Sequence, residues 1–119
     1  MRDFVKASKA LSDETRLRIM NLLLERECCV CEVMQALQIS QTRASRNLSA
    51  LHDAGFLKLH KDGLWSIYSI DEQDMDEYMI GLVDSVRKAM EKDKLAAIDR
   101  ERLKRAERVG PGCAGKIVR

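Results

Sequence analysis

Aromatic residues are scarce in this 119-residue chain, at 4%. The core is therefore left to Leu, Ile, Met and Ala, which suits a helical protein. No apolar run approaches the ~20 residues that a membrane span needs, so no membrane partner is expected. No signal peptide opens the chain, because Met1 to Ala10 carries Arg2, Asp3, Lys6 and Lys9 among its apolar residues. The expectation is a cytosolic protein. Internal repeats and low-complexity linkers are also missing, and the length fits one domain with a real core.

The charge balance excludes little. A formal net charge of +2 is compatible with DNA binding if basic residues gather on one face. That asymmetry is present. Gln41 to Lys61 holds Arg43, Arg46, Lys58 and Lys61 against one acid, Asp53, whereas Asp71 to Glu77 has five acids and no base. Four cysteines in a reducing compartment point to metal or redox chemistry more than to structural disulfides.

Periodicity divides the chain. Asp3 to Leu11 reads as a short amphipathic helix, with Phe4, Val5, Ala7 and Leu11 apolar. Ser12 is the expected N-cap of a helix over Asp13 to Arg26, whose Leu17, Ile19, Met20, Leu23 and Leu24 recur at helical spacing. A short helix follows over Val30 to Leu37. A polar turn, Gln38 to Ser40, leads into a second helix, Gln41 to Ala54, with Ala44, Leu48 and Leu51 inward and Gly55 as C-cap. The period then changes to two. Asp62-Gly63 is a hairpin turn signal between Phe56 to Lys61 and the alternating Leu64 to Ile70. Asp71 to Asp74 caps a long helix with a continuous seam of Met75, Met79, Leu82, Val86 and Met90.

These elements form a helix-turn-helix followed by a hairpin wing, a mainly α fold with a small β component. The seam, with Phe4 of the first helix, is expected to be a homodimer interface formed by the terminal helices. Residues 1–92 read as the DNA-binding and dimerisation domain. Residues 93–119 read as a charged extension, partly helical or mobile, with Gly110-Pro111-Gly112 ending any helix.

The thiols open the helix-turn-helix. Cys28, Cys29 and Cys31 lie within four residues, and Cys113 stands far along the chain. On a helix Cys28 and Cys31 share a face, while Cys29 and Cys31 converge only if the helix start is loosened or non-helical. Thiolates select soft ions. Three thiols without a nearby His suit three-coordinate As(III) or Sb(III) better than tetrahedral zinc. Cys113 or a partner chain would have to complete a four-ligand set. No organic cofactor is called for.

The exposed face of the second helix carries Gln41, Thr42, Arg43, Ser45, Arg46 and Ser49. Its N-terminal half is the part that reaches base edges in such motifs. Arg46 suits guanine or phosphate, Gln41 suits adenine, and Arg43 and Ser49 suit phosphate. Lys61, near the hairpin tip, suits the minor groove or a flanking phosphate. His52 and His60 read as surface or packing residues, and Trp65 as packing under the wing.

Together these residues resemble the ArsR/SmtB family of metal-sensing repressors, over about Phe4 to Met90. LSDETRLRIMNLLLE is similar to the family's second-helix pattern, and ECCVCEV resembles its ELCVCDL box. SQTRASRNLSALHDAGFL resembles SQxxxSxHLxxLxxAGLV, and DGLWSIYSI resembles DGRxxxYxL. The resemblance implies a homodimeric winged-helix repressor that leaves its operator DNA when an ion binds. It places Cys29 and Cys31 on the box cysteines. The third box cysteine of arsenic sensors falls on Met34, so the third ligand is expected to be Cys28, with Cys113 second. Asp71 to Met90 contains no His, which argues against the zinc-type site of that helix. A thiol redox or persulfide sensor on the same scaffold is the main alternative. A thiol oxidoreductase lacks the setting of a CxxC in a βαβ unit, and a small interaction module with a structural metal would unfold on chelation.

Overall fold

A computed structural model describes residues 1–109 of the chain. Cys113 and the Gly110-Pro111-Gly112 stop lie outside the described residues. Among the described residues six α-helices run in the order α1 (Arg2–Leu11), α2 (Glu14–Glu25), α3 (Val30–Leu37), α4 (Gln41–Asp53), α5 (Glu77–Glu91) and α6 (Lys94–Arg105), with a single 3-10 turn, Glu72–Asp74, before α5. Three strands, β1 (Cys28–Cys29), β2 (Lys58–Asp62) and β3 (Trp65–Ser69), form one antiparallel sheet in the order β1-β3-β2. The architecture is the winged helix-turn-helix expected from periodicity.

The caps explain where the helices begin. Asp13, not Ser12, caps α2, its carboxylate accepting the Arg16 N–H at 3.0 Å. Ser12 instead closes the end of α1 by donating its hydroxyl to the Lys9 carbonyl. Ser40 caps α4 and accepts the Arg43 N–H at 3.1 Å. Gln38 sits in the left-handed region at φ 57°, which turns the chain between α3 and α4. Gly55 follows α4 at φ 96°, a conformation that favours glycine.

The main core is one apolar cluster. Ile19, Met20 and Leu22 of α2 meet Val33 and Ala36 of α3, Ala44, Leu48 and Leu51 of α4, and Phe56. Met79 and Val86 of α5 are buried within the same chain, together with Val83, and Met75, Leu82 and Met90 pack against that cluster. Part of the seam thus packs within its own chain, and Met75, Leu82 and Met90 stay partly exposed. Period alone cannot tell a chain's own core from that of a partner. The exposed apolar side chains of the N-terminal helix are Phe4 and Val5, at 47% and 41% exposure.

The extension is also better integrated than charge pattern suggests. α6 packs on α2, α3 and α5. Ala96 and Leu103 are buried, Asn21 donates to the Ala96 carbonyl at 3.0 Å, and Arg26 donates to the Leu103 carbonyl at 3.0 Å.

Candidate thiol site and nucleic-acid interface

The two residues of β1 point to opposite sides, as successive strand residues must. Cys28 pairs with Tyr68 and Cys29 with Ile67 across the sheet. Cys28 packs in the main core, whereas Cys29 joins Cys31, Ile67, Trp65 and Val109 in a separate small cluster. The expected helical face shared by Cys28 and Cys31 does not form, because Cys28 is in a strand. Cys29 is the N-cap of α3 and has extended backbone, φ −89° and ψ 171°. This non-helical start lets its sulfur reach that of Cys31, at 2.8 Å. Cys29 and Cys31 are 1% and 0% exposed.

Glu32 organises the site. Its carboxylate accepts the Cys29 N–H at 2.9 Å, while the Cys29 side chain faces the Glu32 backbone N–H in a reciprocal capping box. The buried carboxylate is also paired with Arg26, at 2.8 Å. Burial pushes the Cys28 thiol up to about 12, with Glu32 acting in the same direction. Burial also pushes the Cys29 thiol up, opposed by the Glu32 backbone N–H. Among the described residues no group of three or more Cys, His, Asp or Glu is arranged to hold a metal ion. The described site is a pair of sulfurs, with Cys28 turned away from it.

The candidate reading face lies on α4, whose 13 residues span about 20 Å at 1.5 Å per residue. Gln41, Thr42, Arg46 and Ser49 are exposed and Ser45 is half-buried. Arg46 makes no hydrogen bond or ion pair with the other described residues, which leaves its guanidinium available. Arg43 is exposed but donates to the Thr15 hydroxyl at 2.9 Å, which ties α4 to α2. Arg16 adds a second tie through Asn47, at 3.2 Å. On the wing, Lys61 is exposed and donates to the Ser66 hydroxyl of the adjoining strand. His52 and His60 are exposed, and Trp65 is half-buried beside the sulfur pair.

Comparison with known proteins gives this geometry a family. The pattern of "Bacterial regulatory protein, arsR family" matches residues 13–58, the stretch from the cap of α2 to the first residue of β2. An arsenic resistance transcriptional regulator of Pseudomonas putida is 39% identical over 92 residues, 73% of this chain and 71% of that protein. The chain belongs to the arsR family. A second relative of this arsR-family protein, the arsenical resistance operon repressor of Escherichia coli, is 36% identical over 97 residues, covering 81% of each chain. Among solved structures, the homodimeric winged helix-turn-helix DNA-binding domain of a Mycobacterium bovis protein superposes with TM-score 0.63 at 27% identity, covering 78% of this chain and 82% of that one. Reduced HlyU from Vibrio cholerae has the same fold, with TM-score 0.63 at 24% identity over 74% of this chain and 88% of that chain. Relatives and fold alike are those of transcriptional regulators. No described helix is long and apolar enough to cross a membrane.

Some residues at the site escape sequence reading. Arg108 and Val109 reach the sulfurs or their neighbours only through tertiary contacts. Val109 is 80 positions from Cys29 in the numbering, and no local pattern marks that approach. Glu32 had a local signal, since an acid three residues after an N-cap completes a capping box.

Proposed function

We propose that this arsR-family protein is a transcriptional repressor that binds operator DNA as a homodimer and is released when As(III) or Sb(III) binds the Cys29 and Cys31 sulfurs. One observation carries the reading: the two sulfurs converge at the start of α3, the first helix of the helix-turn-helix. A soft ion bridging them acts on the capping box that starts α3, and α3 packs on the reading helix α4. The names of the two relatives, both concerned with arsenic resistance, support the same inducer.

A three-coordinate ion needs a third sulfur. Cys28 packs in a different cluster from the pair, which favours Cys113. Val109 lies against the pair, and the four further residues to Cys113 reach at most about 13 Å at ~3.3 Å each. For the dimer, the exposed Phe4 and Val5 of α1 are the better contacts, with Phe4 already set edge-on to Tyr78 of α5 at 5.6 Å.

The test is fluorescence anisotropy of reduced protein on its promoter DNA. As(III) should release the DNA, and Zn(II) and Cd(II) should release it less. Retention of the complex at saturating As(III) refutes the inducer assignment. The 2.8 Å approach of the sulfurs favours a second reading, in which peroxide oxidises two thiols of the fully reduced cluster to a disulfide and water. Release by peroxide in metal-free buffer, without release by As(III), would select it.

A further inference from the structure

The segment after α6 runs back across the sulfur pair to the wing. Glu107 is fixed to α3 by both ends of the Gln35 amide: the side chain donates to the Glu107 carbonyl at 2.6 Å and accepts its N–H at 3.2 Å. Gln35 also donates to the Cys31 carbonyl at 3.0 Å. Arg108 donates to the Asp62 carboxylate at 2.8 Å, at the end of β2, and lies 3.7 Å from Glu32, the capping partner of Cys29. Its guanidinium sits 6.0 Å above the Trp65 ring. Trp65 in turn donates its indole N–H to the Val109 carbonyl at 3.4 Å, and the Val109 side chain packs on the cluster of Cys29, Cys31 and Ile67. Asp62 and Trp65 face each other across the hairpin.

We infer that residues 106–109 are a strap that covers the sulfur pair and holds the wing, so that inducer binding frees the wing by lifting the strap. The inference rests on the thiol pair being the inducer site. The pair is almost without exposure, so an ion joined to both sulfurs needs volume now filled by neighbours. Among the described residues of that cluster, Ile67 is fixed in the central strand and paired with Cys29. Val109 lies outside every helix and strand. The strap is therefore the part that gives way. When Val109 leaves, Trp65 loses its carbonyl partner and Arg108 loses the position from which it reaches Asp62. Both lost contacts are on the wing hairpin, whose tip carries Lys61. The strap lies beyond the 13–58 stretch that matches the family.

The full-length reduced protein supplies its own probe, because Trp65 is the sole tryptophan. Sodium arsenite is titrated while near-ultraviolet absorbance reports sulfur–arsenic bonds and emission reports Trp65. The expected result is a red shift of Trp65 emission that saturates together with the absorbance. Arg108→Gln is expected to shift the emission before arsenite is added. It should also reduce the arsenite-induced loss of operator affinity at least fivefold while keeping the stoichiometry of arsenite bound. Asp62→Asn tests the same contact from the wing and should reduce the coupling likewise. Absorbance that saturates with Trp65 unmoved overturns the strap alone, as does unchanged coupling in both variants. Absence of any sulfur–arsenic absorbance overturns the inducer site, and the strap with it.

Discussion

Asp99 of α6 grips Arg18 of α2 at two points, with the two oxygens 2.8 and 2.9 Å from Nε and Nη2. The Asp99 side chain has no exposure and that of Arg18 only 17%. The same guanidinium donates to the Leu37 carbonyl at the end of α3 at 3.4 Å. One ion pair thus fixes the last described helix to both the central helix and the helix-turn-helix.

Breaking that pair should be costly. Removing one partner of a buried ion pair leaves the other charge desolvated, at about 3–5 kcal/mol. We expect Asp99→Ala to lower unfolding free energy by that order in urea titration. Glu101→Ala, on the exposed side of α6, should leave the midpoint unmoved. An Asp99→Ala midpoint equal to that of the parent protein would mean that α6 is not part of the cooperative unit.

The cysteines should separate by cluster. Cys29→Ser and Cys31→Ser are expected to keep operator binding and lose the As(III) response. Cys113→Ser should weaken As(III) binding. Cys28→Ser should keep the response but cost about 1–3 kcal/mol of stability, because it places a hydroxyl in an apolar core. The Cys28 thiol, held up to about 12 by burial, stays protonated at pH 8. Native-state alkylation with mass mapping should therefore find Cys28 slower to react than Cys29. Loss of the As(III) response in Cys28→Ser, with stability intact, would return Cys28 to the ligand set.

Much of this was legible in the residues, for identifiable reasons. Ala44, Leu48 and Leu51 repeat on one face of α4, the period changes at Phe56, and Asp62-Gly63 marks the hairpin. Local rules suffice for all three. The two-residue strand β1 was not legible. Cys28 and Cys29 are too short a run to show alternation, and their strand exists only because β3 is there to pair with them. That single tertiary fact decides which cysteines meet. α6 was undecided for the same reason: its Ala96, Asp99 and Leu103 become an inward face only against α2 and α3.

Gly55 links the reading helix to α5. Its φ of 96° disfavours any side chain, and a Cβ there would stand 3.4 Å from the Met79 methyl. We expect Gly55→Ala to destabilise by about 1 kcal/mol or more, since a non-glycine residue must accept the left-handed region. Thermal unfolding should show a lower midpoint. An unchanged midpoint would mean that the turn after α4 relaxes to negative φ without disturbing Met79.

The DNA contacts should divide by salt dependence. Arg46 is exposed and makes no hydrogen bond or ion pair with the other described residues, in the half of α4 that reaches base edges in other helix-turn-helix proteins. If it reads a base, Arg46→Ala costs about 1–3 kcal/mol and relaxes sequence preference at one operator position. Lys61, on the exposed wing, offers a phosphate contact instead. Lys61→Ala should weaken binding about equally on all sequences and reduce the slope of log K against log salt by about 1. Arg43 gives an internal comparison, because its bond to Thr15 couples DNA binding to the packing of α4 on α2. Arg43→Ala is expected to lower protein stability as well as affinity, whereas Arg46→Ala should lower affinity alone. Anisotropy at several salt concentrations, with urea unfolding of each variant, distinguishes the three. Equal salt slopes for Arg46→Ala and Lys61→Ala, with no change in sequence preference, would move Arg46 from the bases to the backbone.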